Sequence, residues 1–192
     1  MKILAIGPHP DDVEYGCWGL LSSKHAESVG IVIVTGTSLS SRAKEAQASA
    51  KTIGAGIQFL HRKDGSVQID SQLIDDITEL SSGYDLVLAP HPEDTHQDHR
   101  SVAEATLSAL RRRHTSLAYY ATPSTLHGFN PNTYLDLTAE LVSSRARALG
   151  CHKSQLHNQY FTKEHLLAKD NWWGYRCGYG RAEAYQLARF SF

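Results

Sequence analysis

The stretch that decides the fold is Lys2–Val34, which reads KILAIGPHPDDVEYGCWGLLSSKHAESVGIVIV. Its apolar run Lys2–Ile6 predicts a buried strand, and Tyr15–His25 has the residue spacing of a helix. The run Val29–Val34 is β-branched almost throughout, which is typical of a strand buried on both faces of a sheet. We therefore predict a strand, a helix and a second strand in succession.

The same alternation continues through the middle of the chain. Further helices are predicted at Ser41–Ile53, Leu73–Leu80 and Ser101–Arg113, and further strands at Ile57–Leu60, Leu86–Ala89 and Leu117–Ala121. Such alternation predicts a doubly wound α/β fold, in which right-handed crossovers give a mostly parallel sheet with helices on both faces. The pattern then loosens, and it indicates a short strand at Leu135–Leu137, a helix at Ala139–Leu149 and an aromatic, Gly-rich loop at Asn171–Tyr179.

The composition predicts one globular domain, residues 1–192. Hydrophobic residues make up 41% of the chain and charged residues 20%, which excludes a disordered or fibrous protein. The net charge of −1 provides no basic surface for nucleic acid or anionic membrane lipids. No apolar run approaches the roughly 18 residues of a membrane span, and the N-terminus meets Pro8 and two aspartates too early for a signal sequence. We expect a cytoplasmic protein.

The cysteine and histidine content bears on the chemistry. Cys17, Cys151 and Cys177 lie far apart and form no CxxC pair, so we expect buried thiols rather than disulfides or a thiolate zinc site. Eleven histidines are many for this length, and several lie beside carboxylates. Because imidazole is the commonest metal ligand and the usual acid–base group near neutral pH, this is the first indication of function.

The two densest clusters of histidines and carboxylates follow two strands that are predicted to be neighbours. His9–Asp12 follows the first strand, and His91–His99 follows the fourth. Ligands of open α/β sheets bind beyond the carboxyl ends of the strands where strand order reverses, which in the common order 3-2-1-4-5 lies between strands one and four. We therefore expect the two clusters to face each other.

Metal chemistry is the interpretation left when other mechanisms are excluded. The first loop has Pro8 and Pro10 where nucleotide-binding loops need glycines, and the chain has no GxSxG motif or convincing Cys–His pair for covalent catalysis. A His-Asp-His set suits a catalytic zinc with an open position for water. Because Asp11 and Asp12 are adjacent and point different ways, one can bind the metal while the other acts on the water as a base.

The same residues have simpler interpretations. Asp11, Asp12 and Asp94 also suit helix caps. For His91, support of the metal ligands from behind or bracing of its loop is a better role than metal ligation. His96 and His99 are three residues apart, so they share a face only if the helix has begun there. The expected adjacency of the two clusters is what favours a metal site.

Two segments resemble a known family. His9–Gly19, HPDDVEYGCWG, and His91–Arg100, HPEDTHQDHR, resemble the two signature motifs of the zinc-dependent PIG-L/LmbE-like N-deacetylases, which act on N-acetylglucosaminyl and related amino-sugar compounds. Arg42–Ala46, RAKEA, followed by Ile53–Ala55, and Arg181–Tyr185, RAEAY, resemble further segments of that family. The resemblance covers most of the chain and implies a Rossmann-like fold.

The resemblance also implies roles for individual residues. His9, Asp12 and His99 would bind Zn²⁺, or another divalent metal such as Fe²⁺. Asp11 would be the general base. His96, oriented by Asp98, would assist the oxyanion and the leaving amine. From its place at the start of the helix after the second strand, we add Arg42 as a candidate for anchoring a substrate hydroxyl, carboxylate or phosphate.

The predicted function is therefore removal of an N-acetyl group from a small amino-sugar-containing substrate, which is a free sugar, a nucleotide-linked sugar or a glycosylated metabolite. Neither nucleic acid nor membrane is expected as a partner. Alternatives remain open: a metal-dependent phosphoesterase, an amidase for another small N-acyl or thiol-conjugate substrate, and a noncatalytic metal- or sugar-binding module. A homo-oligomer is compatible with the sequence. Trp18 stands where the family commonly has glycine, so it either narrows the pocket mouth or packs under the sheet.

Overall fold

One seven-stranded sheet organises residues 1–191, the part of the chain that the computed structural model describes. The strands are β1 Lys2–Gly7, β2 Ser28–Thr35, β3 Gly56–Arg62, β4 Leu86–Pro90, β5 Ser116–Tyr120, β6 Thr133–Asp136 and β7 Ala182–Arg189. Their order is β3-β2-β1-β4-β5-β7-β6, with β1 to β5 parallel and β7 antiparallel to both of its neighbours. The predicted α/β fold with a mostly parallel, doubly wound sheet is confirmed.

Helices cover both faces of this sheet. They are α1 Asp12–Gly16, α2 Trp18–Leu21, α3 Ser41–Lys51, α4 Ser71–Leu80, α5 Gln97–Leu110, α6 Ala139–Leu149 and α7 Lys163–Cys177. The alternation of side chains along β1 shows how the two cores are divided. Leu4 and Ile6 pack in the core that α4 and α5 cover, whereas Ile3 and Ala5 pack in the core that α2 and α3 cover.

The predicted helix Tyr15–His25 is wrong in its extent, because the structure has two short helices that meet at Cys17. The carboxylate of Glu183, on β7, accepts the backbone N–H groups of Gly19 at 3.0 Å and Leu20 at 2.9 Å. Because the Glu183 side chain accepts hydrogen bonds from these amides, α2 begins as a separate helix and does not continue α1.

The predicted loop Asn171–Tyr179 is also wrong, because most of it forms the last turns of α7. Gly174 has a packing role here, since a Cβ at this position would lie 2.7 Å from the Cα of Arg181. Helix α7 ends at Cys177, and the next residue, Gly178, has a φ of +83°, the left-handed conformation common after a helix. Trp172, Trp173 and Tyr175 therefore project from a helix, whereas Tyr179 lies in the short connection to β7, which begins at Ala182.

Two smaller expectations are settled by packing. Trp18 is fully buried and donates from Nε1 to Oγ of Ser144 at 3.2 Å, so it packs beneath the sheet and not at a pocket mouth. Cys17 is buried as expected, but Cys151 and Cys177 are partly exposed, and all three thiols are free. Each helix within residues 1–191 is too short or too polar to cross a membrane.

Candidate active site

The two motif loops meet at the carboxyl edge of the sheet. Strands β1 and β4 are parallel neighbours, with Ile3 opposite Leu86 and Ala5 opposite Leu88, so both chains leave the sheet at the same edge. The loop after β1 carries the first cluster, and the loop after β4 carries the second. The sequence prediction that the two clusters face each other is confirmed.

Three donor atoms from these loops form a small triangle. Nδ1 of His9 lies 3.2 Å from Oδ2 of Asp12 and 3.2 Å from Nε2 of His99, and the third side, from His99 to Asp12, is 3.4 Å. Metal–ligand bonds of 2.0–2.1 Å in a tetrahedral site place the ligand atoms roughly 3.3 Å apart. The triangle therefore fits one zinc-sized divalent cation, and all three residues are buried.

Charge at the triangle favours a bound cation. Burial lowers the pKa of His99, but the carboxylates of Asp12 and Asp94 outweigh it and raise that pKa to about 10. Burial raises the pKa of Asp12, but His99 and His9 hold it well below its usual range. In the metal-free protein the ionised carboxylate of Asp12 thus favours protonated, positively charged imidazoles. A bound metal ion would supply that positive charge instead.

The outward nitrogen of each histidine in the triangle faces a second carboxylate. Nε2 of His9 lies 3.1 Å from Oδ2 of Asp98, and Nδ1 of His99 lies 3.2 Å from Oδ2 of Asp94. Such a carboxylate fixes the tautomer of an imidazole, so that the inward nitrogen keeps its lone pair for a metal. The site thus contains supporting residues as well as a set of potential ligands.

This geometry corrects the expected position of Asp98. Its carboxylate contacts His9 and not His96, because it also accepts backbone N–H groups from Gly65 at 2.7 Å and Val67 at 3.0 Å. These amides belong to the loop after β3 and turn the carboxylate toward the first motif. The hydrogen bond that joins Asp98 to His96 comes from the backbone N–H of Asp98, which lies 3.2 Å from Nδ1.

Asp94 connects the second motif to the loop after β5. Its Oδ1 accepts the backbone N–H of His96 at 2.8 Å, and its Oδ2 accepts the hydroxyls of Thr122 at 2.7 Å and Thr125 at 2.6 Å. His91, by contrast, lies away from the triangle, with Nε2 3.1 Å from the side-chain oxygen of Gln186. The structure thus gives Asp94 a role beyond capping and is consistent with loop bracing by His91.

Asp11 occupies a strained backbone position beside the triangle. Its φ is +109°, an uncommon value for a residue with a Cβ that typically costs about 1–3 kcal/mol. Although it precedes α1, its side chain makes no capping hydrogen bond. Instead, Oδ2 accepts a hydrogen bond from Nη2 of Arg42 at 3.1 Å, and the same Nη2 donates to the carbonyl of Pro10 at 2.9 Å. The helix-cap interpretation of Asp11 is therefore excluded.

The pKa of Asp11 suits a group that exchanges protons. Burial and the charge of Asp12 raise this pKa to about 7, although Arg42 opposes the shift. General bases work best with a pKa close to the operating pH. Asp11 also lies outside the triangle, so it is not needed as a ligand.

His96 caps α5 and lies against both histidines of the triangle. Its ring centroid is 4.7 Å from that of His9 and 4.8 Å from that of His99. Burial and repulsion from these two rings lower the pKa of His96, which favours its neutral imidazole form. Because Nδ1 accepts the Asp98 amide, the proton belongs on Nε2.

These residues line one open pocket of about 460 Å³. Arg42 lies in its wall, as expected from the start of α3, together with Tyr15 and Tyr160. The sequence analysis missed Asp64, an exposed carboxylate whose Oδ1 lies 3.2 Å from Nε2 of His9 and whose Oδ2 lies 3.9 Å from Arg42. The one feature of the sequence that points to Asp64 is its place in the loop after the third strand, because the loops that follow parallel strands lie at this edge of the sheet.

Comparison with known proteins establishes the family. Residues 4–110 match the protein family described as PIG-L, GlcNAc-PI de-N-acetylase. The uncharacterized deacetylase YaiS of Escherichia coli strain K12 is 32% identical over 169 residues, which cover 79% of this chain and 90% of that protein. This chain belongs to the PIG-L family. The family resemblance seen in the motifs is therefore confirmed.

Solved structures share the PIG-L fold across nearly the whole chain. The N,N′-diacetylchitobiose deacetylase of Pyrococcus horikoshii superposes with a TM-score of 0.81 at 23% identity, covering 97% of this chain and 83% of that one. The 4-carboxy-2-hydroxymuconate hydratase GalB of Pseudomonas putida KT2440 superposes with a TM-score of 0.83 at 17% identity, covering 100% and 98%. Since one is a deacetylase and the other a hydratase, fold alone does not determine the reaction.

Proposed function

We propose that this protein is a metal-dependent N-deacetylase that hydrolyses the acetamide of a small amino-sugar compound. The observation that carries the proposal is the triangle of His9, Asp12 and His99 with two further groups, Asp11 and His96, beside it in one pocket. Amide hydrolysis needs one Lewis acid, one base for water and one hydrogen-bond donor for the oxyanion. The pocket contains one candidate for each requirement.

His9, Asp12 and His99 would hold the metal, and Zn²⁺ or Fe²⁺ is compatible with their two imidazoles and one carboxylate. When bound, such an ion would polarise the acetamide carbonyl and lower the pKa of a water. Asp98 and Asp94 would keep the two imidazoles in the ligating tautomer. This arrangement leaves Asp11 and His96 free to act on the substrate.

Asp11 would take a proton from the attacking water, while its hydrogen bond from Arg42 holds the carboxylate in place. His96 would donate Nε2–H to the developing oxyanion as a neutral imidazole. The leaving nitrogen cannot depart as an anion and needs a proton. Asp11, which has taken a proton from the water, would donate it to that nitrogen. Arg42 and Asp64, at the rim of the pocket, would bind sugar hydroxyls or other polar groups of the substrate.

Family membership and relatives support this substrate class. The family is described as a GlcNAc-PI de-N-acetylase, the Escherichia coli relative is called a deacetylase, and the Pyrococcus horikoshii protein is a diacetylchitobiose deacetylase. The phosphoesterase alternative has less support. Two groups of residues within 1–191 could hold a metal ion: His9 with Asp12 and His99, and His9 with His96 and Asp98. No carboxylate belongs to both groups. Arg42, the arginine that lines the pocket, is paired with Asp11.

The decisive experiment is an acetate-release assay. Protein loaded with Zn²⁺ or Fe²⁺ should release acetate and a free amine from at least one member of a panel of N-acetylated amino sugars and their glycosides. The activity should disappear with a chelator and in the Asp12→Ala variant. Release of phosphate from phosphoesters, or hydration of an unsaturated acid, without acetate from any N-acetyl compound would overturn the proposal.

A further inference from the structure

One wall of the candidate active-site pocket comes from a segment that the proposed chemistry does not use. This wall segment, residues 153–161, follows α6 and contains two single-turn 3₁₀ helices, Lys153–Gln155 and Gln159–Phe161. The pocket lining includes three of its side chains, those of Gln155, Tyr160 and Phe161. The wall segment therefore faces the space beside the triangle that a substrate would occupy.

The hydroxyl of Tyr160 is available to a ligand. Among residues 1–191 it has no hydrogen-bond partner. The hydroxyl of Tyr15, the other tyrosine of the pocket, lies 3.2 Å from Nε2 of His165. Burial and the charges of Asp11 and Asp12 raise the pKa of Tyr160, so its phenol keeps a proton that it can donate.

The ring of Tyr160 is oriented by two aromatic neighbours. It meets Phe161 edge to face, with ring centroids 4.8 Å apart, and Tyr15 in the same way at 6.3 Å. Tyr160 nevertheless remains partly exposed, so part of its ring is open to the pocket. An apolar ring with a polar tip suits a sugar, because the C–H groups of the sugar pack on the ring and its hydroxyls accept hydrogen bonds.

A carboxylate of α3 holds the wall segment in place. Oε1 of Glu45 accepts the backbone N–H of Ser154 at 2.9 Å, and Oε2 accepts the Ser154 hydroxyl at 2.7 Å. Gln155 donates from Nε2 to Oγ of Ser154 at 3.1 Å, and its Oε1 accepts Nδ2 of Asn158 at 3.2 Å. The carbonyl of Asn158 accepts the backbone N–H of Phe161 at 3.0 Å. A chain of hydrogen bonds thus runs from Glu45 to the 3₁₀ helix that contains Tyr160.

Glu45 belongs to the RAKEA segment, whose arginine, Arg42, holds Asp11. The two side chains are three residues apart on α3, so they lie on one side of this helix. Arg42 contacts the first motif, and Glu45 contacts the wall segment. Helix α3 therefore fixes the wall segment relative to the loop that contains the candidate base.

We propose that Tyr160 is a specificity-determining residue that packs against the sugar ring of the substrate, and that Glu45 is a positioning residue that acts through Tyr160. This inference rests on the proposed deacetylase function and assigns the selection of a cyclic sugar over an acyclic acetamide to the wall segment. The triangle would receive the same acetamide from either kind of compound, so the metal site itself does not distinguish them.

Two probes test the role of Tyr160: the methyl β-glycoside of N-acetylglucosamine and the acyclic N-acetylethanolamine. Their dissociation constants are measured by titration of chelator-treated protein, so that no turnover occurs, and the ratio of the two constants is the sugar preference. Tyr160→Ala should reduce this preference about tenfold, because a ring contact and a hydrogen bond are both lost. Tyr160→Phe, which keeps the ring, should reduce it about threefold. Tyr175→Ala, at a position 83% exposed on α7, is the control and should not change it.

A double-mutant cycle tests the role of Glu45. Glu45→Ala should reduce the sugar preference about fivefold and should speed amide hydrogen exchange at Ser154. Adding Tyr160→Ala to that variant should reduce the preference by only about twofold more, because Glu45 acts through Tyr160. Glu79→Ala, at an exposed position of α4, is the matched control and should keep the wild-type preference.

The outcomes separate this inference from the proposed function. Equal binding of the two probes by the wild-type protein, or an unchanged sugar preference in folded Tyr160→Ala, overturns the role of Tyr160. If Tyr160→Ala does not fold, Tyr160→Leu, which fills the same space, takes its place with the same expectation. Fully multiplicative effects of Glu45→Ala and Tyr160→Ala overturn the positioning role of Glu45. Absence of acetate release by metal-loaded protein overturns the deacetylase function, while the binding ratios still report on the wall segment.

Discussion

The carboxylate of Asp98 lies 3.1 Å from Nε2 of His9, so an acid of the second motif holds a histidine of the first. The contact crosses from the start of α5 to the loop after β1, and the amides of Gly65 and Val67 fix the carboxylate from a third loop. Asp94 holds His99 in the corresponding way. Loss of either acid should therefore affect metal binding before it affects chemistry.

Asp98→Asn and Asp94→Asn should each weaken metal affinity about 10- to 100-fold, because a neutral amide oxygen is a weaker acceptor than the carboxylate that fixes the imidazole tautomer. Competition with a fluorescent zinc chelator measures this affinity. The exposed Asp75→Asn is the control and should bind metal as the wild type does. Unchanged affinity in both buried variants would show that these contacts do not support the site.

Asp11→Asn should lower kcat/KM about 10²- to 10⁴-fold with one equivalent of metal still bound, because it removes a base and leaves the triangle intact. His99→Ala and Asp12→Ala should lose the metal instead. Elemental analysis of the purified variants, alongside acetate release, separates the two classes. A metal-free Asp11→Asn protein would mean that Asp11 is itself a ligand.

His96→Ala should lower kcat/KM about 10²- to 10³-fold with metal retained, because one donor to the oxyanion is lost. The same change also removes the cap of α5. His96→Asn keeps a residue that caps helices well, so its thermal stability should stay close to that of the wild type while its activity remains low. If activity changes in parallel with thermal stability in both variants, a catalytic role of His96 would be contradicted.

The buried pair His152 and Glu14 should make stability depend on pH. Burial lowers the pKa of His152, but the hydrogen bond from Nε2 to Glu14 at 2.9 Å and the charge of Glu14 outweigh it and raise that pKa above its ordinary 6.5. A raised histidine pKa stabilises the folded state fully below the unfolded value, and this contribution is lost as pH rises through the folded value.

Urea unfolding of metal-free protein at pH 6 and pH 9 tests this dependence. The free energy of unfolding should fall more between the two pH values in the wild type than in His152→Gln. Parallel decreases in both proteins would show that the pair contributes nothing to the pH dependence.

The buried ion pair of Arg145 and Asp170 links α6 to α7. Asp170→Asn should lower the free energy of unfolding by about 3–5 kcal/mol, because the buried guanidinium loses its hydrogen-bonded counter-charge and keeps only the carboxylate of Glu183, 4.0 Å away. Glu164→Gln, at an exposed position of the same helix, is the control and should change stability by less than about 0.5 kcal/mol. A loss below about 1 kcal/mol in Asp170→Asn would show that Glu183 or water compensates for the lost carboxylate.

Local sequence patterns predicted the elements that depend on local properties. The β-branched run Val29–Val34 lies within β2, and helix α6 has the predicted bounds Ala139–Leu149. Helix boundaries set by distant contacts were predicted less well. Glu183, more than 160 residues away along the chain, divides the first helix, and close packing at Gly174 explains a glycine that had suggested a loop.

For the site, the sequence by itself determined which residue types are present and, through strand order, that the two clusters meet at one edge of the sheet. Only the tertiary structure decided which atoms pair. Asp98 supports His9 because amides of the loop after β3 orient its carboxylate, and Asp64 enters the pocket because that loop ends at the same edge. Such contacts depend on side-chain direction across three separate loops, and no spacing within one motif encodes that direction.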